Sequence, residues 1–514
     1  MATTVTVWDG AGVIGGNKIL VEDAGTAFLL DFGTSFATRG RYYEEFLKPR
    51  GPRGLLDPLV MELLPPLQGI YRSDLEPPGE DLWARVPPQA TLDLAGVLLS
   101  HAHLDHTGAL SFLRDGVPIL TGAMTAVICK AVQDCGQSDF EQEVCYLVPR
   151  EENEGMLTMP RGQPALQRPF QLVEDARPTA AAEAFWSTSY TSREIVPQPL
   201  LPTSELSGIP VKRFPVDHSV FGASAFAVET SAGWVVYTGD LRCHGRAGED
   251  TRRFAQQAAQ LEPVLLICEG THVERDVCAT EAEVYDNALA CLEGADGKLV
   301  IADFGARNVE RLLTFLRIAE DRGRRLVVSA KDAFLLDAMR CVSDKVPDLS
   351  AEASVAVYRD PKLRPGGWEK AVYETHSEKL MSPAQVHAEQ GEVILCFSFF
   401  DLNDLVDINP DPGGIYIYSS SEAYTEEQRI DFGRLRNWLG RFGMTMRGDP
   451  QEGLEKPLHA SGHISGRELL ELIRTTAPKR LLPVHTEDPV SFTTNLAREM
   501  GVLIPTRGQT MTIG

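Results

Sequence analysis

No apolar run in this sequence is long enough to span a bilayer as a helix. The longest, such as Val393 to Phe400, have strand length, against the roughly 18 residues a crossing requires. The opening residues, Met1-Ala2-Thr3-Thr4-Val5, carry no basic stretch followed by an apolar block, so no secretory leader is expected. Cysteine is thinly spread: Cys129, Cys135, Cys145, Cys243, Cys268, Cys278, Cys291, Cys341 and Cys396 are odd in number and never spaced C-x-x-C. That pattern predicts a reducing, cytoplasmic setting. Positive charge is also short, with 49 Lys and Arg against 72 Asp and Glu and a net charge of −23. Such a surface favours solubility and argues against non-specific coating of nucleic acid, while leaving room for a local positive groove. Two basic stretches stand out, Arg39, Arg41, Lys48, Arg50 and Arg53, and then Arg322, Arg324 and Arg325. Both read as solvated surface rather than as phosphate tracks. Internal repeats and low-complexity tracts are absent as well.

Histidine is scarce too, with 11 in 514 residues, yet three fall within six positions. His101-Ala102-His103-Leu104-Asp105-His106 follows the apolar run Leu94 to Leu99, placing three imidazoles and a carboxylate on one loop past a predicted strand. Such a density of ligand-type side chains points to metal. An all-nitrogen-and-oxygen set without thiolate suits a borderline ion such as Zn²⁺ in a catalytic rather than a structural site.

A composition of 43% hydrophobic and 24% charged residues is that of a globular protein, and this length exceeds one ordinary core, so two domains are expected. The start alternates short β-rich runs, Thr4 to Trp8, Lys18 to Glu22 and Ala27 to Asp31, with glycine turns, as in hairpins at a sheet edge. Two proline-rich excursions, about 39–89 and 149–202, read as irregular lids or covers. From Thr280 the texture changes to βα alternation. Thr280 and Glu283 form a capping box. Strands are predicted at Lys298 to Ala302, Arg325 to Ser329, Glu392 to Phe399 and Gly414 to Ser419, and helices at Val309 to Ala319, Ala333 to Cys341 and Glu426 to Phe442. That alternation predicts a parallel sheet. A helix (Arg467 to Thr475), a strand (Arg480 to His485) and a helix (Val490 to Met500) close the chain.

One loop cannot complete a two-metal site, and three strand ends offer more ligands: Pro215-Val216-Asp217-His218, Thr238-Gly239-Asp240 and Pro483-Val484-His485. In this order behind HxHxDH they resemble the metallo-β-lactamase superfamily. The resemblance implies an αββα sandwich with a dinuclear metal centre. By motif, His101, His103 and His218 would hold one ion, Asp105, His106 and His485 the other, and Asp240 would bridge them. Two divalent cations, Zn²⁺ or alternatively Mn²⁺, lower the pKa of a bridging water and neutralise phosphate oxygens during in-line attack, so hydrolysis is the expected reaction.

The βα region between Asp240 and His485 resembles the inserted domain of the β-CASP nucleases, ribonuclease J above all. This divides the chain into a metallo-β-lactamase part at 1–279, a β-CASP insertion at 280–454 and a closing part at 455–514. Leu265-Leu266-Ile267-Cys268-Glu269-Gly270-Thr271 resembles that branch's acidic motif, His459-Ala460-Ser461-Gly462-His463 its H-x-S-G-H motif, and Pro483-Val484-His485-Thr486-Glu487 its PVHGE motif, with Thr486 in place of glycine. The resemblance makes His463 a general acid, with Glu269 orienting its ring. His459, Ser461 and Gly462 would cradle phosphate oxygens, and Ser419, Ser420 and Ser421 resemble a backbone-contacting serine loop. Phe304-Gly305-Ala306-Arg307-Asn308 opens a helix and reads as a plain helix cap, with one more phosphate contact as the alternative. The extra C-terminal domain of ribonuclease J has no counterpart after His485, so assembly is left open. The expected partner is single-stranded RNA, with DNA as an alternative, and no membrane. Two other readings stand beside the nuclease: a metallo-hydrolase of a small phosphodiester or other ester, and a weakly catalytic metal-binding scaffold.

Overall fold

The computed structural model describes residues 2–44, 46–136, 139–173, 177–305, 307–420, 426–449 and 456–513, with the side chains of 426–429 left out. The fold is mixed α/β with several sheets. The chain divides into two compact units: unit 1 is Met1–Cys243, Ala247–Val277 and His463–Gly514, and unit 2 is His244–Arg246 and Cys278–Gly462. Unit 2 takes in the H-x-S-G part of the histidine motif. No helix among the described residues is long and apolar enough to cross a membrane.

Unit 1 holds two large sheets. The eight-stranded sheet runs in the order Leu201–Pro202, Phe170–Leu172, Ile119–Thr121, Leu94–Leu98, Thr26–Phe32, Lys18–Asp23, Thr3–Asp9, Thr510–Ile513. The opening hairpins are antiparallel, as the glycine-punctuated pattern predicts. They are not the sheet edge, however, because Thr510–Ile513 pairs outside them. The seven-stranded sheet runs Glu205–Leu206, Ile209–Pro215, Ser224–Thr230, Gly233–Tyr237, Leu265–Cys268, Arg480–Pro483, Gly501–Val502.

Side-chain alternation sorts the core. Val5, Val7, Ile19, Val21, Phe28 and Leu30 of the first sheet share one buried cluster with Phe226, Val228, Val235, Tyr237, Leu265 and Ile267 of the second. The intervening residues Ala225, Ala227, Val236, Leu266 and Cys268 turn to the opposite face. There they pack with Phe254, Leu469, Leu472 and Phe492 of the helices Gly248–Ala259, Gly466–Thr476 and Val490–Leu496. A period of two on a sheet buried on both faces explains why these strands read as nearly continuous apolar runs.

The second excursion is not an irregular cover. Phe170–Leu172 and Leu201–Pro202 extend the first sheet in parallel, Ala165–Gln167 joins a three-stranded sheet, and Ala180–Ser187 is a helix. The first excursion folds as short helical turns with Leu55, Leu59, Ile70 and Leu75 buried. The basic stretches are mostly spoken for. Arg39 pairs with Glu141, Arg50 with Asp57 and Arg53 with Glu80. Arg324 is not solvated surface, because it is buried and donates to the carbonyls of Ala295, Lys298 and Val393.

Unit 2 is built on a seven-stranded sheet in which every pair is parallel, in the order Leu380–Met381, Val355–Tyr358, Arg325–Val328, Val393–Leu395, Val300–Asp303, Ile415–Tyr418, Thr445–Arg447. The capping box of Thr280 and Glu283 opens the helix Glu281–Cys291. Asn308 caps Val309–Asp321 by accepting from the Arg311 amide. The core of the unit includes Leu299, Ile301, Val327, Leu395, Tyr416 and Leu435.

Candidate metal centre

The predicted donors converge because of strand direction. Gly233–Tyr237, Leu265–Cys268 and Arg480–Pro483 run parallel, and Ile209–Pro215 lies two antiparallel steps away, so all four end at one edge. The turns that follow carry His218, Asp240, Glu269 and His485. In the first sheet Leu94–Leu98 runs parallel to Thr26–Phe32 and delivers residues 100–106. Every one of these residues lies in unit 1.

Two sets of donor atoms form. His101, His103 and His218 make the first, and Asp105, His106, Asp240 and His485 the second, with the atoms of each set within 4.8 Å of one another. His103 Nδ1 lies 3.1 Å from His101 Nε2 and 3.1 Å from His218 Nε2. Asp240 Oδ2 lies 3.7 Å from His101 Nε2, 3.9 Å from His218 Nε2, 3.2 Å from His106 Nε2 and 3.6 Å from His485 Nε2. Asp240 Oδ2 thus lies within 3.9 Å of donor atoms from both sets. Asp105 Oδ2 lies 3.2 Å from His485 Nε2 and 3.7 Å from His106 Nε2. Ligands bonded at about 2.0–2.1 Å around a tetrahedral ion stand roughly 3.3 Å apart, which is the spacing seen here.

The residues fit a metal on a second count. His106 Nε2 and both carboxylate oxygens of Asp240 are buried without a hydrogen-bond partner. The contact between them at 3.2 Å lacks hydrogen-bond geometry. A buried carboxylate and imidazole left so are costly unless something else satisfies them, and a cation does.

The far nitrogens of the imidazoles are held in place. Asp31 accepts from the Ser100 amide at 2.7 Å, the Ser100 hydroxyl at 2.6 Å and the Tyr237 hydroxyl at 2.6 Å, and lies 2.6 Å from His106 Nδ1. Ser100 Oγ in turn lies 2.9 Å from His101 Nδ1. Partners of this kind fix the ring orientation and tautomer of metal-binding histidines. Asp31 has φ +54° and His485 φ +53°, left-handed conformations that non-glycine residues seldom adopt away from functional sites. Gly33 is required for the HxHxDH loop to come close, since a Cβ there would sit 1.7 Å from the Asp105 carbonyl oxygen. Asp31 escaped the sequence reading, although an acid closing the apolar run Ala27 to Leu30 has the same texture as Asp240 after Val235 to Tyr237. Thr271, which lies 2.9 Å from His485 Nδ1, was also passed over.

His463 adjoins the second set. Its Nδ1 lies 3.1 Å from Glu269 Oε2 and 3.1 Å from Thr271 Oγ1, and its ring centroid lies 5.4 Å from that of His485 and 5.2 Å from that of His218. Glu269 is itself fixed by the amides of Leu241 and Thr271. Glu269, His463 and His485 form a further close group of donor atoms.

Charge is sorted within the site. Burial pushes His463 down, but Glu269 outweighs it and lifts the imidazole to about 9. Burial and then the neighbouring His463 hold His272 down at about 4. Burial works against ionisation of Asp105 and Asp240, yet the surrounding imidazoles hold both below the usual carboxylate range. Both carboxylates are therefore anionic, as ligation requires.

The expected phosphate contacts lie in unit 2 and are less uniform. His459 is half-buried with Nδ1 3.3 Å from the Ser419 carbonyl, and the Ser461 carbonyl lies 2.9 Å from His244 Nε2. Gly462 and Ser420 are half-buried. Ser419 is only 1% exposed, and Arg311 donates to both its carbonyl and its hydroxyl oxygen. Its hydroxyl is thereby held inside the framework of unit 2. Ser421 lies outside the described residues.

The chain is similar to several known proteins. A family model described as the Zn-dependent metallo-hydrolase RNA specificity domain matches residues 453–505, the segment carrying His459, Ser461, His463 and His485. Ribonuclease J of Mycobacterium tuberculosis is 26% identical over 283 residues, 53% of this chain and 46% of that protein. The likeness is to ribonuclease J. Ribonuclease J of Mycolicibacterium smegmatis is 23% identical over 495 residues, 94% of this chain and 68% of that protein. That of Corynebacterium glutamicum is 25% identical over 402 residues, 76% of this chain and 45% of that protein. The chain spans about half the length of the first ribonuclease J proteins it matches, 46% in each case. A solved structure of a protein of unknown function from Enterococcus faecalis V583 shares the fold over the full length of both chains, with a TM-score of 0.67 at 22% identity.

Proposed function

We propose that this chain is a metal-dependent phosphodiester hydrolase acting on RNA, a ribonuclease J-like nuclease working as a 5′→3′ exonuclease, an endonuclease or both. The observation that carries the reading is the meeting of two donor sets at Asp240, with the His463–Glu269 pair beside them. The ribonuclease J relatives and the RNA-specificity match support RNA as the substrate. On this reading unit 1 is the metallo-β-lactamase αββα sandwich, interrupted by a β-CASP domain expected at 280–454.

His101, His103 and His218 would hold one divalent ion and Asp105, His106 and His485 a second, shared through Asp240, with Zn²⁺ the expected metal. Bound there, the ions supply Lewis acidity, which lowers the pKa of water and offsets charge on phosphate oxygens. Glu269 keeps His463 protonated and turns its Nδ1 inward, so the proton available to a leaving oxygen sits on Nε2. His459, Ser461, Gly462 and Ser420 would bind phosphate oxygens through backbone and side-chain donors.

The test is cleavage of labelled single-stranded RNA and DNA bearing 5′-monophosphate, triphosphate or hydroxyl ends by the purified chain loaded with Zn²⁺ or Mn²⁺. RNA cleavage that His101→Ala abolishes is the expected result. Intact polymers alongside turnover of a small phosphodiester would overturn the assignment. His463→Ala should keep its metal and lose about 10²–10⁴ in turnover, the usual range for a missing general acid.

A further inference from the structure

Unit 2 carries a cavity whose acidic and aromatic lining the proposed chemistry does not use, Ser420 alone being shared with the proposed phosphate contacts. All strands of its sheet are parallel, so their carboxyl ends share one edge. After Val300–Asp303 the chain crosses to Arg325–Val328 on one side. After Val393–Leu395, which returns to lie between those two strands, it crosses to Ile415–Tyr418 on the other side. Connections that leave neighbouring strands in opposite directions open a crevice at the strand ends, where α/β sheets bind ligands. A cavity of about 610 Å³ occupies that place, lined by Asp303, Ser329, Asp332, Cys396, Asp401 and Tyr418 among others. Its size is that of an ordinary small-molecule site.

We propose that this cavity binds a small organic cation, an amine of the alkylammonium or polyamine class. Three carboxylates face it with neutral donors only. Asp303 accepts from the Tyr416 hydroxyl at 2.6 Å, Asp332 from the Ser329 hydroxyl at 2.8 Å, and Asp401 from the Ser398 amide and hydroxyl, both at 2.8 Å. None of the three forms an ion pair among the described residues. Of the two lysines on the lining, Lys362 is taken up by Asp360 at 2.8 Å and Glu369 at 2.6 Å, and Lys331 is exposed. Burial pushes Asp303 and Asp332 up to about 7, and the exposed Lys331 offsets that only in part at Asp332.

The remaining wall is aromatic. Phe399 and Phe400 meet edge to face at 5.5 Å, as do Tyr418 and Phe432 at 4.8 Å. Phe400 is 85% exposed, a ring left uncovered at the rim. Carboxylates beside aromatic faces are the environment that attracts alkylammonium groups, by charge and by the ring quadrupole. The three acids are not gathered closely enough to chelate a bare ion: among the described residues, no close donor group includes them. This inference is independent of the proposed nuclease activity.

The test is titration calorimetry of the full, metal-loaded chain with spermidine at about pH 8, where both carboxyls are ionised. A surface of net charge −23 will attract polyamine weakly at many sites, so the cavity must be separated from that background. The expected result is one saturable site per chain. Asp303→Asn and Asp332→Asn should each weaken it at least tenfold, while the exposed control Glu378→Gln leaves it unchanged. Phe400→Ala removes an exposed ring and threatens no core, so it tests the site even where the aspartate variants fold poorly; it should weaken binding about 2–10-fold. Unsaturable binding at several sites, equal affinity in Phe400→Ala and Glu378→Gln, or full displacement by equimolar Mg²⁺ would each overturn the proposal.

Discussion

Asp31 never approaches substrate on the proposed reading, yet it collects the Ser100 amide, two hydroxyls and His106 Nδ1. Removing it would free two imidazoles to rotate. Asp31→Ala should therefore lower metal affinity about 10–100-fold, read by competition with a chromogenic chelator, with the fold kept. Buried carboxyls in unit 2 give a different signature. Asp303 and Asp332 ionise near 3.8 when unfolded and near 7 when folded. Between those values the folded chain holds protons that the unfolded chain releases, so stability falls as pH rises from about 4 to about 7 and is level above that. Asp303→Asn should flatten that fall, measured as urea midpoints at about pH 5 and about pH 8. At this scale the HxHxDH loop is legible because three scarce histidines crowd six positions. Asp31 and Thr271 act through other residues: Asp31 closes an apolar run much as Asp240 does, but only the fold shows which ring it holds, and Thr271 carries no mark of its own.

Between elements, Arg311 does the joining in unit 2. Its guanidinium is fully buried, forks onto both oxygens of Glu281 at 2.9 and 3.0 Å, and reaches the carbonyls of Ser419 and Leu458. It thereby ties the first turn of Glu281–Cys291 to the end of Ile415–Tyr418 and to the residue before His459. Arg311→Met takes the guanidinium fork away from the buried Glu281 carboxylate and should cost about 3–5 kcal/mol by chemical denaturation, with Glu281→Leu in the same chain restoring much of it. Long helices such as Val309–Asp321 and strands such as Arg325–Val328 could be read from periodicity. Gly367–Thr375 and Pro383–Ala388 could not, because two or three turns between prolines and glycines leave too short a pattern. The closing strand Thr510–Ile513 was missed for a related reason: its residues alternate between half-exposed and exposed before Ile513, so only its pairing with Thr3–Asp9 reveals it.

For the whole molecule, each unit has its own apolar core, and every metal donor belongs to unit 1. Chelation should therefore lower the calorimetric transition that reports unit 1, since a ligand bound only to the folded state stabilises it. The transition that reports unit 2 should stay in place. The change to βα texture at Thr280 comes two residues after Cys278, where unit 2 resumes. The far edge of unit 2 falls inside the histidine motif, between Gly462 and His463, a division that nothing in the motif's own spacing marks.

The order of the strands also bears on how the chain is made. A ribosome that has released residues as far as Gly462 has delivered six of the seven proposed metal ligands and the whole of the inserted unit. The nascent polypeptide would still lack His485, the last two strands of the second sheet, Arg480–Pro483 and Gly501–Val502, and the flanking strand of the first. Unit 2 has all its strands in hand well before its host does, so the host must stay open, with a half-built cation site, until the last few dozen residues emerge.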